Sequence, residues 1–146
     1  MKISLACDHA GYELKTYVKG YLDDHQHLVE DFGCQDLNPV DYPDTGIPAA
    51  ELVAEGKADF GILICGSGYG MCIAANKVRG IRASLCFKAD HARITRQHNN
   101  ANILVLSGNT TSISQVGEII DAFFTERFYD EERHSRRLKK IADYEK

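Results

Sequence analysis

Cys65 is followed at once by three alternate glycines, Gly66, Gly68 and Gly70, with Ser67 and Tyr69 between them. A thiol beside a glycine loop is a usable chemical unit. Glycines let the backbone approach a ligand closely, and the loop amides are donors for an anion or a developing oxyanion. A helix start next to a thiol favours the thiolate, the form that acts as base or nucleophile. Cys65 is therefore the first candidate for a reactive group. Further groups of suitable chemistry are scattered along the chain. Asp8-His9 lies near the start, His98 lies in RQHNNAN, and the tail EERHSRRLKK carries Arg133, His134, Arg136, Arg137, Lys139 and Lys140. Histidine is the ordinary acid–base side chain at neutral pH. Arg133 and Arg137 are four residues apart, so a helix puts both on one face, where two guanidiniums fit a phosphate. Arg136 and Lys140 make a second such pair.

Each group also has a plainer reading. A cysteine at a strand end is often simply core. His98 suits the end of a helix, where a cation meets the dipole, although its position also reads as beside the active edge. Asn99 and Asn100 fit helix C-caps, and a basic tail is often only solvated. Two sharper alternatives fail on spacing. A phosphatase-like loop needs an Arg soon after the cysteine, but position 71 is Met and the next Arg is Arg79. A dinucleotide fingerprint needs G-x-G-x-x-G and an acidic residue about 20 positions on; here the loop reads G-S-G-Y-G and residues 86–89 read CFKA. Five cysteines without a C-x-x-C pair or following ligand pairs point to free thiols and to no metal site. Cys7, Cys34, Cys72 and Cys86 read as core or bystanders.

These groups have to be positioned by a scaffold, and the hydrophobic pattern supplies one. Strands are expected at 2–7, 27–32, 60–65, 81–86 and 102–107. Helices are expected at 12–24, 45–55 (Thr45 as N-cap, Gly56 as stop), from the glycine loop to Val78, 88–99, 112–125 and 133–145. Strands alternating with helices imply a parallel sheet covered on both faces, with an expected strand order of 2-1-3-4-5. All strand carboxyl ends then share one edge. The loops there carry Asp8-His9, Asp41-Tyr42, Cys65 to Gly70, Phe87-Lys88 and Gly108-Asn109. A length of 146 residues with 44% hydrophobic content suits one domain, 1–146. The net charge of −4 gives no reason to expect nucleic acid. No apolar run reaches the roughly 20 residues of a membrane span. The apolar stretch at the start is short for a signal peptide, so the cytoplasm is the expected compartment.

Taken together, ACDHAGYELK, VDYPD, GILICGSGYGMCIAANK, GIRAS, RQHNNANIL and RHSRR resemble the ribose-5-phosphate isomerase B family, whose sugar-phosphate isomerase relatives include galactose-6-phosphate isomerase subunits. The resemblance covers nearly the whole chain. It implies a Rossmann-like αβα sandwich with an extra C-terminal helix. It also implies a homodimer or dimer of dimers with sites across the subunit interface, and no cofactor. The activity implied is aldose–ketose isomerisation of ribose 5-phosphate and ribulose 5-phosphate through an enediol. Cys65 would be the base and His98 would open the sugar ring. Ser67 and the amides of Gly66, Gly68, Tyr69 and Gly70 would hold the enediolate. Asp8, His9, Tyr42 and Asn99 would contact sugar or phosphate, and Arg133 and Arg137 would bind phosphate. Two positions depart from the family pattern. Ser67 replaces a usual Thr, which keeps the hydroxyl. Asn109 stands in the substrate region where an Arg is typical, which removes a cation and keeps other phosphorylated aldoses, hexose or tetrose, open as substrates. A non-catalytic sugar-phosphate binder on the same fold is the alternative of a different class.

Overall fold

The computed structural model describes residues 1–146. In chain order the elements are β1 (Lys2–Cys7), α1 (Tyr12–Asp24), β2 (Leu28–Asp31), α2 (Tyr42–Ala54), β3 (Phe60–Cys65), α3 (Tyr69–Ala75), β4 (Ala83–Leu85), α4 (Ala89–Asn99), β5 (Ile103–Ser107), α5 (Ile113–Thr125) and α6 (Glu132–Tyr144). A short 3-10 turn, His9–Gly11, joins β1 to α1.

The five strands form one parallel sheet in the order β2-β1-β3-β5-β4. Side chains alternate across it. Ile3, Leu5, Ile62, Ile64, Leu104 and Leu106 point to one face, where Leu14, Val18 and Leu22 of α1, Ala89 and Ala92 of α4, and Val116, Ile119 and Phe123 of α5 cover them. Ala6, Leu63, Cys65, Ile103 and Val105 point to the other, under Ala49, Ala50 and Val53 of α2 and Met71 and Ala75 of α3. The fold is thus the expected αβα sandwich, with α6 added outside the two layers. No helix is long and apolar enough to cross a membrane.

The strand order differs from expectation at its far end: β5, not β4, lies against β3. The reason is burial. The five residues of β5 (ILVLS) are all buried, as suits a central strand of a parallel sheet. The three residues of β4 (ASL) are only half-buried, as suits an edge. This matters for the site, because it puts Ser107 beside Cys65 in the ladder.

Three boundaries also differ from the periodicity. α2 starts at Tyr42, with Asp41 at the N-cap and Pro43 in the first turn. Proline is well placed there, since its missing N–H has no helical partner. Thr45 is not the cap: its hydroxyl donates to the Cys7 carbonyl at 2.9 Å and ties α2 to the end of β1. α3 stops at Ala75 rather than Val78, because the Asn76 side chain turns to β4. Its amide donates to the Ala83 carbonyl and its oxygen accepts from the Ala83 N–H, each at 2.9 Å. The ladder of β4 is shorter than the expected 81–86.

Candidate active site

The carboxyl edge gathers one group of candidates, and hydrogen bonds lock it from both sides. Asp8 donates its N–H to the Ile64 carbonyl at 3.2 Å. On the other flank, Gly108 donates to the Cys65 carbonyl at 2.8 Å and Asn109 to the Gly66 carbonyl at 3.0 Å. The Ser107 hydroxyl also donates to the Gly66 carbonyl, at 2.8 Å. Asn109 is brought against the glycine loop: a Cβ on Gly66 would lie 3.2 Å from its Nδ2. Asp8 is buried, and its Oδ1 accepts the Gly11 N–H at 3.0 Å, capping the 3-10 turn. His9 follows in that turn. Its Nδ1 accepts the Val40 N–H at 3.2 Å, so the neutral ring carries its proton on Nε2, free to donate.

The loop itself has the shape its glycines allow. Gly68 has φ +83°, and a Cβ there would also overlap the Leu85 side chain. Ser67 is exposed, and its hydroxyl accepts the Tyr69 N–H at 3.3 Å. The Tyr42 ring lies over Gly70, where a Cβ would be only 2.8 to 3.0 Å from three ring carbons. Tyr42 is held there because Thr45, one turn on, is anchored to Cys7. Cys65 is buried, with 3% exposure, at the end of β3. Three of the other thiols are poor thiolates. Burial pushes Cys86 up to about 12. Burial also raises Cys72, and burial and the adjoining Cys34 raise Cys7.

The second group lies elsewhere. His98 and Asn99 are in the last turn of α4, which feeds the amino end of β5. Cys65 pairs with Ser107 and Gly61 with Ile103, so the two sheet edges are separated by four residues of strand, about 13 Å at ~3.3 Å per residue. The expectation that His98 sits beside the Cys65 edge therefore fails within one chain. A helix that precedes a parallel strand ends at the opposite edge. Here the last turn is pinned: Arg82 Nε donates to the Asn99 and Asn100 carbonyls at 2.9 and 3.0 Å, and Asn100 closes the helix in the left-handed conformation, φ +46°. Of the two asparagines, Asn100 is the cap and Asn99 is an exposed side chain on the last turn.

α6 completes this second group. The imidazole of His134 stacks on that of His98, centroids 4.6 Å apart and planes 11° from parallel. Arg133 and Arg137 are both exposed on α6, and Arg133 Nε is 2.9 Å from Glu131. The largest cavity, about 360 Å³, also opens here and not at Cys65; Arg82, Thr95, Asn99 and Leu138 are among its walls. The candidates thus form two clusters. Asp8, His9, Tyr42, Cys65 to Gly70 and Asn109 share the carboxyl edge. His98, Asn99, Arg133 and Arg137 share the amino edge. Three supporting residues have no role that the sequence alone assigns: Ser107, Arg82 and His134. The last two lie in the motifs GIRAS and RHSRR. Ser107 becomes visible only with the correct strand order.

Comparison with known proteins gives a consistent picture. The profile of the ribose/galactose isomerase family matches residues 3–141. A ribose-5-phosphate isomerase B from Clostridium thermocellum superposes with a TM-score of 0.96 at 43% identity, covering 99% of this chain and 97% of that one. The enzyme of the same name from Mycoplasma genitalium, solved with bound ribulose-5-phosphate, superposes with a TM-score of 0.92 at 41% identity, covering 99% and 95%. The galactose-6-phosphate isomerase subunit LacB of Clostridium acetobutylicum is 38% identical over 141 residues, 97% of this chain and 82% of that one.

Proposed function

The chain belongs to the ribose/galactose isomerase family, and from that premise we propose that it interconverts ribose 5-phosphate and ribulose 5-phosphate through an enediolate. The observation that carries the reading is the convergence at one sheet edge of the Cys65 thiol, the amides of residues 66–70, Ser67, the His9 Nε2, Tyr42 and Asn109. That is a base, an oxyanion cradle and polar contacts for a sugar chain. The relative from Mycoplasma genitalium, solved with ribulose-5-phosphate, supports a substrate of this class.

In the proposed reaction Cys65 removes the C2 proton of the open-chain aldose. Charge moves to O1, where the loop amides and Ser67 stabilise it; such donors typically contribute about 3 kcal/mol each. Cys65 returns the proton to C1, and the O2 proton passes to O1. His98 assists ring opening. Arg133 and Arg137 bind the phosphate, with His9, Asp8, Tyr42 and Asn99 fixing the sugar. The scheme routes no step through a metal, and no three His, Cys, Asp or Glu side chains gather at ligand spacing.

His98 and the two arginines lie on the opposite edge from Cys65, so the proposed site is completed by a second copy of the chain in a homodimer. Each dimer then holds two shared sites. The test is subunit mixing. Cys65→Ala and His98→Asn are each expected to be inactive alone. In an equal mixture half the dimers are mixed, and each has one intact site, so about a quarter of wild-type activity returns. No recovery on mixing rejects the shared site. An active Cys65→Ala enzyme rejects the base, and ketose formation from a hexose phosphate but not ribose 5-phosphate rejects the substrate.

A further inference from the structure

His134 stacks on the proposed ring-opening group, yet the proposed reaction leaves it without a task. It is buried, at 4% exposure, beside the exposed Arg133 and Arg137. Its Nε2 has no hydrogen-bond partner; the Glu131 Oε2 is 3.9 Å away. A buried polar side chain with an unpaired nitrogen is costly, so folding alone does not account for a histidine here. The geometry supplies a further reason. The His134 ring lies nearly flat against His98. Phe128 closes on His134 from the side at 6.5 Å, and Tyr129 approaches His98 at 6.5 Å. The Tyr129 N–H also donates to the Gln97 carbonyl at 2.8 Å, which joins this linker to the turn carrying His98.

We infer that His134 is a positioning residue for His98: a flat aromatic platform that fixes the plane of the ring-opening imidazole. This rests on the isomerase reading above. Burial is the main reason that His134 stays neutral, and the neighbouring His98 and Arg133 push the same way; together they hold it below the usual imidazole range. The groups facing it are His98 from α4, Phe128 from the linker, and Glu131, Arg133 and Arg137 around α6; of these only Glu131 favours its charged form. Two stacked imidazoles cannot both carry charge cheaply, and a neutral aromatic face attracts a cation placed over it. The stack therefore sets the direction of the His98 ring. An acid that is misaligned loses rate even when its titration is intact.

The test compares His134→Phe, which keeps a flat ring but no proton, with His134→Leu, which keeps apolar volume but no ring. In the full-length protein His134→Phe is expected to hold kcat within about threefold of wild type with an unchanged pH profile. His134→Leu is expected to lose about tenfold or more in kcat at constant KM. The His98 Cε1–H resonance carries the ring-current shift of its neighbour. It should persist in His134→Phe and vanish in His134→Leu. If His134→Phe is as impaired as His134→Leu, His134 is itself a proton carrier and the inference falls. It also falls if His134→Leu keeps wild-type kcat or if its His98 resonance does not move. Should the wild type turn over no sugar phosphate, the isomerase reading fails by itself, while the resonance comparison still decides the positioning. If His134→Leu does not fold, His134→Phe decides alone: a kcat within about threefold supports the platform, and a larger loss overturns it.

Discussion

Gly68→Ala separates what the loop needs from its glycine and what the fold needs. Gly68 has φ +83°, a conformation that costs an L-residue about 1–2 kcal/mol. The new methyl would also overlap Leu85 Cδ1 and lie 3.4 Å from the Leu106 carbonyl. The carbonyl belongs to a central strand and cannot yield, so Leu85 must rotate or the loop must lift; overpacking of this kind costs about 1–3 kcal/mol. The sum is about 2–5 kcal/mol, or a fall in Tm of roughly 5–15 °C for a chain of this size. Gly80 is the internal control. Its φ is +82°, but nothing lies within 4 Å of its absent Cβ. Gly80→Ala should therefore show the backbone cost alone, about 1–2 kcal/mol. Thermal and urea unfolding of both variants measure the difference. Under the proposed reaction Gly68→Ala should also lose kcat beyond any loss of folded protein, because lifting the loop misdirects the amides that the reaction assigns to the enediolate. Equal stabilities for the two variants refute the packing argument. A destabilised Gly68→Ala with full kcat refutes the role of the loop.

Lys15→Met tests a buried ion pair outside the site: Lys15, only 3% exposed, bonds both Asp31 oxygens at 3.0 and 2.8 Å and the Cys34 carbonyl at 2.7 Å. Leaving Asp31 without its cation should cost about 3–5 kcal/mol, seen as a lower urea midpoint; a loss under about 1 kcal/mol would place the pair with surface pairs. Alkali should destabilise the fold through Cys86. Burial raises its pKa to about 12, so the unfolded chain releases this proton first, and the stability present below pH ~9 falls as pH rises towards 12, by at most ~1.4 kcal/mol per unit for this group. Urea midpoints at pH 8, 9.5 and 10.5 follow this, Cys86→Ala should flatten the slope, and a midpoint constant over that range contradicts it. Asn109→Arg, placed against Gly66, should lower KM for ribose 5-phosphate about tenfold or more, as expected for one charge-assisted hydrogen bond; unchanged KM across a panel of sugar phosphates removes Asn109 from the phosphate site.

The layers are legible in the sequence because their signals are local. Apolar runs at 60–65 and 102–107 mark strands, and the alternation with helical periodicity marks helices on both faces. The start of α2 is not legible, for a reason that is equally physical. Thr45 is a good N-cap by type, but its hydroxyl is taken by the Cys7 carbonyl, 38 residues away in sequence. Only the packed structure reveals that competitor. The same holds for Asn76, which ends α3 by bonding to Ala83.

The candidate residues stand out by type in the sequence, but their assembly does not. Which strand lies beside β3 is decided by relative burial of β4 and β5, a property of the whole sheet. Once β5 takes that place, Ser107 holds the Gly66 carbonyl and Asn109 faces the glycine loop, so one topological change explains two contacts. The position of His98 follows from chain direction alone: in a parallel sheet a helix starts near the carboxyl edge and ends near the amino edge. A base at the end of β3 and a ring-opening group at the end of α4 therefore cannot meet within one chain of this fold without a bend that the short connections do not allow. Under the proposed chemistry, activity then requires association, and the basic pair on α6 serves a substrate held by another copy. The arrangement also gives α6 its logic. A helix outside both core layers gains little from packing, yet it carries Arg133, His134 and Arg137, and it is tied to the body by the His134–His98 stack at the start of the helix and by the Gly80 N–H donating to the Glu145 carboxylate at 3.0 Å just past its end.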